Sequence, residues 1–298
     1  MSDFIKHKHE KSKTVLVFDF HNLMYRNVFA AIRSEPSDNK EYYLTRHFIM
    51  NSIFDEIKTH QPDRVVFAID STNTWRKDIY PGYKAKRHDR ASGLNTECFY
   101  PIMDKFIEDM KDFFKTICFL QVAKSEADDI IGVICKNNKR DRYIIVSTDS
   151  DMIQLLVNKN VQIWNPKKKE WVVSINPRRD LEIKIIGGDS GDSIKGVRSR
   201  VGPGTAEKIV VEGIMHYIDT LPTENEKGEV LEKYKLNKTL IDMDFTPNDI
   251  KEKILYMYAE FAPGEIERIK VQKFFASNKL IKSMGDWSAM SGVIRALQ

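Results

Sequence analysis

The sequence predicts an α/β protein with a central, mostly parallel sheet flanked by helices. Three observations carry this reading. First, three short apolar runs, Val15-Leu-Val-Phe-Asp19, Val65-Val-Phe-Ala-Ile-Asp70 and Tyr143-Ile-Ile-Val-Ser-Thr-Asp149, each end at an aspartate. Second, uninterrupted runs this short read as strands covered on both faces, as in a parallel sheet. Third, the segments between them carry apolar residues at helical spacing, and a strand–helix–strand unit implies a right-handed crossover between parallel neighbours.

The chain has 298 residues, 42% hydrophobic and 30% charged, enough for a large core. A formal net charge of +4 assigns no partner by itself. Cys98, Cys118 and Cys135 show no CxxC spacing, which argues against a zinc site or disulfide framework and fits a reducing cytoplasm. No apolar run approaches transmembrane length, so no membrane partner is expected. Residues 1–13 are polar and basic without an apolar stretch; they read as a flexible tail rather than a signal peptide.

Each element follows in order. Strand one ends at Asp19 and leads through Asn22-Leu-Met-Tyr-Arg26; Leu44, Phe48, Ile53 and Ile57 then mark a helix face before strand two. Residues 71–96 break the alternation. They hold six Lys or Arg, among them Arg76, Lys77, Lys84, Lys86 and Arg87, against Asp78 and Asp89, interleaved with Trp75, Tyr80 and Tyr83. Bases with aromatics suit phosphate neutralisation and base stacking. Most charge runs are solvated loops, but this one directly follows a strand-end aspartate. Phe99 to Phe114 is an amphipathic core helix, and Ile117–Val122 a strand. Ser125 is the expected N-cap of a helix opening with Glu126-Ala-Asp128-Asp129. Acids in a first turn also complement the helix dipole. That explains one or two of them, not their recurrence at other strand ends.

After Asp151 come a helix, the strand Val161–Trp164 and a hairpin arm through Lys167-Lys-Lys-Glu-Trp-Val-Val. Residues 187–209 contain two glycine-rich turns, with a helix expected to open at Thr205. Glycines and free N–H groups at a helix start let phosphate approach closely. Residues 217–236 read as a polar, mobile connector, and the remainder as packing helices. Arg268-Ile-Lys-Val-Gln-Lys-Phe274-Phe275 loosely resembles a clamp-docking helix but reads first as core.

The acids carry the chemistry. Asp19, Asp70, Glu126, Asp128, Asp129, Asp149, Asp151, Asp189 and Asp192 lie in five places, mostly at strand ends. Ligands of open α/β sheets bind beyond such ends. Nine acids exceed an acid–base dyad and match the oxygen ligands of two magnesium ions. Two such ions about 3.5–4 Å apart serve in-line displacement at phosphorus.

These motifs, in this order, resemble the flap endonuclease/5′-nuclease superfamily: Asp19-x-x-Asn22-Leu-x-Tyr-Arg26, Asp70, Tyr83-Lys84-x-x-Arg87, Glu126-Ala-Asp128-Asp129, Asp149-Ser-Asp151, Gly188-Asp189-x-x-Asp192 and Gly202-Pro-Gly204-Thr-Ala. The resemblance covers about residues 14–215. It runs on more weakly through Tyr234-Lys-x-Asn-Lys-x-Leu-Ile-Asp-Met-Asp-Phe-x-Pro, which is similar to the T-even bacteriophage ribonuclease H branch. It implies a PIN-like nuclease core over 14–180 with an arch at about 71–96. It also implies a helical subdomain over 181–298 with a helix–three-turn–helix element at about 185–215. Asp19, Asp70, Glu126, Asp128 and Asp149 would surround one Mg2+, and Asp151, Asp189 and Asp192 the second; Asp129 belongs to the same acid set. Mn2+ would substitute. Lys84 and Arg87 would act with Asp149 in catalysis. Arg76, Lys77, Tyr83, Lys86, Arg198, Arg200, Gly202, Gly204, Thr205 and Lys208 would contact DNA. The implied activity is a monomeric, cytoplasmic 5′→3′ exonuclease and flap endonuclease that removes RNA primers in DNA replication. A single-stranded-DNA-binding protein and a sliding clamp are candidate partners.

Two departures stand out. Phe20 replaces a glycine common in the family, which changes packing, and Gly204 replaces a common Lys or Arg, with Arg198 and Arg200 as substitutes for that charge. Two rivals remain. A catalytically silent DNA-junction binder has no use for the full acid set. A PIN-type single-strand ribonuclease is usually shorter and lacks the arch and the duplex-binding turn.

Overall fold

The computed structural model describes residues 12–37, 41–85, 94–265 and 267–280. Strands β1 (Thr14–Asp19), β2 (Arg64–Ala68), β3 (Ile117–Leu120), β4 (Arg142–Val146), β5 (Val161–Asn165) and β6 (Glu170–Val172) form one sheet in the order β3-β2-β1-β4-β5-β6. The first five are parallel, and β6 returns antiparallel through the expected hairpin. Between the strands run α1 (Phe20–Ser34), α2 (Tyr43–His60), α3 (Trp75–Ile79), α4 (Thr96–Phe113) and α5 (Ala127–Asn137). Beyond the sheet lie α6 (Pro177–Gly187), the small strands β7 (Gly188–Asp189) and β8 (Ile194–Lys195), α7 (Pro203–Glu212), α8 (Ile214–Asp219), α9 (Glu224–Ile241), α10 (Asn248–Glu260) and α11 (Arg268–Ser277).

Strand periodicity sorts the core into two layers. Leu16, Phe18, Val65, Phe67, Ile144 and Val146 face α1, α2, α4 and α11. Val15, Val17, Val66, Cys118, Tyr143 and Ile145 face α5 and α10. Burying each large side chain contributes about 1.5–3 kcal/mol, which holds the strands in register. Phe20 is fully buried, its ring 5.1 Å from that of Phe67. The strand order reverses between β1 and β4, so the chain leaves these neighbours in opposite directions and opens a crevice at their carboxyl ends.

Three expectations change. Residues 217–236 are not a connector but are mostly helical, α9 being capped by Thr223 Oγ1, which accepts from Glu226 N at 3.2 Å. Surface pairs such as Lys227–Glu224 and Lys235–Glu232 give this helix its polar sequence, while Val230, Leu240 and Ile241 are buried. The N-cap of α5 is Glu126 rather than Ser125. The Asp129 carboxylate accepts from Glu126 N at 2.9 Å, and Ser125 Oγ instead donates to Val122 O. The described residues of the segment 181–298 do not share one core. Ile186, Val197, Ala206, Ile209, Ile218 and Val230 share a core of their own, whereas Ile250 and Ile254 return to one face of the sheet and Phe274 and Phe275 to the other. Both of those phenylalanines are fully buried, so residues 268–275 form a core helix and not an exposed docking peptide.

Candidate active site

The acids reach the crevice from five elements. Asp19 ends β1 and caps α1, accepting from Asn22 N at 3.1 Å and from Ser147 Oγ at 3.2 Å. Asp70 follows β2; its Oδ1 accepts from Ala127 N at 2.7 Å, which joins it to the start of α5. His21 Nδ1 lies 3.4 Å from Asp70 Oδ2. Asp149 follows β4 and accepts from Asp151 N at 2.9 Å, opening a 3₁₀ segment over Ser150–Val157. Ser147 serves both sides, since its Oγ also accepts from Asp149 N at 3.0 Å. Asn22 and Thr148 hydrogen-bond to each other and tie the loops after β1 and β4 together. Gly188 (φ +77°) and Gly196 let the β7–β8 hairpin close; a Cβ on Gly188 would stand 2.5 Å from Gly196 N. That hairpin carries Asp189, whose Oδ1 accepts from Gly191 N at 2.7 Å and shapes the turn to Asp192.

Charge is unevenly compensated across this set. Burial, then Asp70 and Asp149, push the Asp19 carboxyl up to about 7. Burial and the charges of Asp149 and Asp19 push Asp128 well above the usual carboxylate range. Burial also works to raise Glu126, but Lys84 and Arg76 outweigh it and hold this carboxyl below its ordinary value. One oxygen of each of Asp151, Asp189 and Asp192 falls within 4.8 Å of the others. Lys184 lies among them, with its Nζ bridging Asp151 Oδ1 and, at 2.8 Å, Asp189 Oδ2. Burial opposes that ammonium, yet Asp151 and Asp189 prevail and raise its pKa. Sequence reasoning missed Lys184, because a single lysine between the hairpin arm and the glycine-rich turns carries no local sign of the acids it meets.

Four expected roles are altered. Asp129, expected among the metal ligands, is fully buried with both oxygens engaged. Arg76 binds it bidentately at 2.9 and 3.0 Å, Trp75 Nε1 donates at 3.2 Å and Thr246 Oγ1 at 2.8 Å. It is an internal counter-ion. Arg76, expected on DNA, is 3% exposed and spends its remaining donors on Glu126 and Leu240 O. Tyr83, also expected on DNA, is buried with its hydroxyl 2.9 Å from both Glu126 Oε2 and Asp192 Oδ2. The phenol has one proton for these two carboxylates. Glu126 is thereby occupied by Arg76, Tyr83 and the Lys84 ammonium before any cation arrives. The Lys84 amide donates to Asp192 O at 2.9 Å, which fastens the base of the basic stretch to the acidic turn. Lys86 and Arg87 lie outside the described residues.

The other residues expected on DNA are accessible. Lys77, Arg198, Arg200, Gly204, Thr205 and Lys208 are exposed, and Arg198 pairs with Glu226 at 2.7 Å. Gly202 caps α7, so the helix opens at Pro203 rather than Thr205. No atom lies within 4 Å of a Cβ placed on Gly202 or Gly204. A groove of about 1050 Å³ runs between Tyr80–Ala85, residues 193–201 and α9.

Hard oxygen donors crowded this closely, with part of their charge uncompensated, fit divalent cations. Comparison with known proteins points the same way. The model of the 5′-3′ exonuclease N-terminal resolvase-like domain matches residues 14–182. Ribonuclease H of enterobacteria phage T4 is 29% identical over 262 residues, covering 80% of this chain and 84% of that protein. DNA polymerase I of Bacillus subtilis is 28% identical over 247 residues, 76% of this chain but only 27% of the polymerase. The fold is similar to that of the bacteriophage T5 flap endonuclease in a complex with DNA and metal ions, with a TM-score of 0.61 at 20% identity, over 83% of this chain and all of that one. Residues 14–182 hold the acids from Asp19 to Asp151 and make up more than half the chain, which therefore belongs to the 5′-3′ exonuclease family.

Proposed function

We propose that this protein is a magnesium-dependent, structure-specific 5′ nuclease that removes RNA primers and 5′ flaps from duplex DNA during replication. The observation that carries the reading is the convergence of buried and half-buried carboxylates beyond β1, β2 and β4, with Asp19 and Asp128 short of counter-charge. Asp19, Asp70, Asp128 and Asp149, with Glu126 beside them, would hold one cation; Asp151, Asp189 and Asp192 would hold the second. When bound, the two ions supply an activated water and neutralise charge on the scissile phosphodiester. Mn2+ offers the same preference for oxygen ligands and is expected to substitute.

The chain's own groups position the substrate. Lys84 stands at the edge of the acid cluster, where its ammonium can exchange Glu126 for a phosphate oxygen, and Arg87 would join it. The N–H groups of Gly204 and Thr205, in the first turn of α7, have no helical acceptor and suit a duplex phosphate. Arg198, Arg200 and Lys208 add positive charge there. Contacts of this kind read backbone rather than base sequence, so the choice of substrate rests on its structure.

The test is cleavage of a 5′-flap duplex and of an RNA primer annealed to DNA, by wild type and Asp149→Ala, with magnesium and with EDTA. Wild type alone should release 5′ products, and only with magnesium; the variant should be slower by at least about a hundredfold. Tight binding without cleavage in either Mg2+ or Mn2+ would instead make the protein a junction binder.

A further inference from the structure

The two halves of the acid cluster differ in what they lack. Among the described residues, no lysine or arginine forms an ion pair with Asp19, Asp70, Asp128 or Asp149; His21 lies beside Asp70, and Lys84, held on Glu126, acts on Asp128 only from a distance. The Asp151–Asp189–Asp192 group already contains a cation, the Lys184 ammonium on Asp151 Oδ1 and Asp189 Oδ2, while Lys84 reaches only its edge, 3.8 Å from Asp192 Oδ2. A magnesium ion binds carboxylate oxygens at about 2.0–2.1 Å. It therefore needs the same space and the same oxygens as the ammonium, and the two cannot share them.

The fold decides which part of Lys184 can move. Its neighbours Ile185 and Ile186 are buried, and the helix α6 is fixed against the 3₁₀ segment and α7. The backbone of Lys184 is thereby held, so displacement of its ammonium falls to the flexible stem. The side chain is 24% exposed, so it has a path to solvent.

We infer that Lys184 is a tethered competitor for the second cation. The first group, whose four aspartates pair with no lysine or arginine, fills first; the second fills only when a divalent ion expels the ammonium. This rests on the proposed metal centre and adds an order of occupancy to it. Two ions of similar affinity are replaced by one tight and one weak.

Manganese titration of the protein without nucleic acid tests this, with free Mn2+ followed by electron paramagnetic resonance. Wild type should show one tight and one weak site. Lys184→Met, similar in length and uncharged, should tighten the weak site on the order of tenfold, the worth of a charge-assisted contact removed from the competing state. Lys184→Gln should move it the same way, and Lys184→Arg should leave it as weak or weaker. The tight site should stay within about twofold throughout. Melting in EDTA and in saturating Mn2+ gives a second readout: Lys184→Met should melt lower than wild type in EDTA and gain more from the ion. An unchanged or weakened second site in both neutral variants would overturn the inference while leaving the metal centre intact. No Mn2+ binding by any form would overturn the metal centre itself.

Discussion

Asp128 and Asp129 are adjacent in sequence, yet the structure gives them opposite energetics. Asp129 accepts hydrogen bonds from Arg76, Trp75, Thr246 and the Glu126 amide. Asp129→Asn leaves the 3%-exposed Arg76 without its bidentate partner. Breaking a buried ion pair from one side costs about 3–5 kcal/mol, and Glu126, which stays on Arg76, puts this case at the lower end. At roughly 2–4 °C per kcal/mol for a large domain, Tm should fall by about 10 °C. Asp128→Asn does the reverse, because it removes a half-buried carboxylate crowded by Asp149 and Asp19. The metal-free protein should then melt at or above the wild-type temperature. The assay is thermal unfolding by circular dichroism at pH 8, in EDTA and in Mg2+. The magnesium-induced rise in Tm should shrink in Asp128→Asn and persist in Asp129→Asn. If Asp129→Asn melts within about 3 °C of wild type in EDTA and loses its response to magnesium, Asp129 is a ligand after all and the counter-ion argument is wrong.

Two further expectations concern the same crevice. With Asp19 pushed up to about 7, its ionisation costs more in the folded state than in the unfolded one, so this group destabilises the metal-free protein as pH rises from about 4 through 7. Relative to Asp19→Asn, wild-type melts in EDTA should therefore fall over that range, and the gain from Mg2+ should grow with pH; a gain independent of pH from 5 to 8 would refute it. Lys84→Ala should slow single-turnover cleavage far more than it weakens binding of a flap duplex, and equal losses in both would exclude a role at the scissile phosphate.

Much of the fold was legible because its signals are local. Short apolar runs ending in aspartate become parallel strands whether or not their neighbours are known; β1 ends at Asp19, and β2 and β4 end at Ala68 and Val146, just short of Asp70 and Asp149. The α9 helix was not legible, since its surface ion pairs make a packed element resemble a connector. The N-cap of α5 was missed for a related reason: the group that satisfies the Glu126 amide lies inside the helix, at Asp129.

By itself, then, the sequence determined the sheet, the positions of the acids along it and the class of chemistry they serve, because strand periodicity and strand-end carboxylates are properties of neighbouring residues. Only the tertiary structure decided which acids keep their charge unshared. Arg76 meets Asp129 across 53 positions, and Lys184 meets Asp151 across 33. A carboxylate's partner is set by the few ångströms around it, and residues that far apart in the chain become neighbours only when the sheet and α6 are packed.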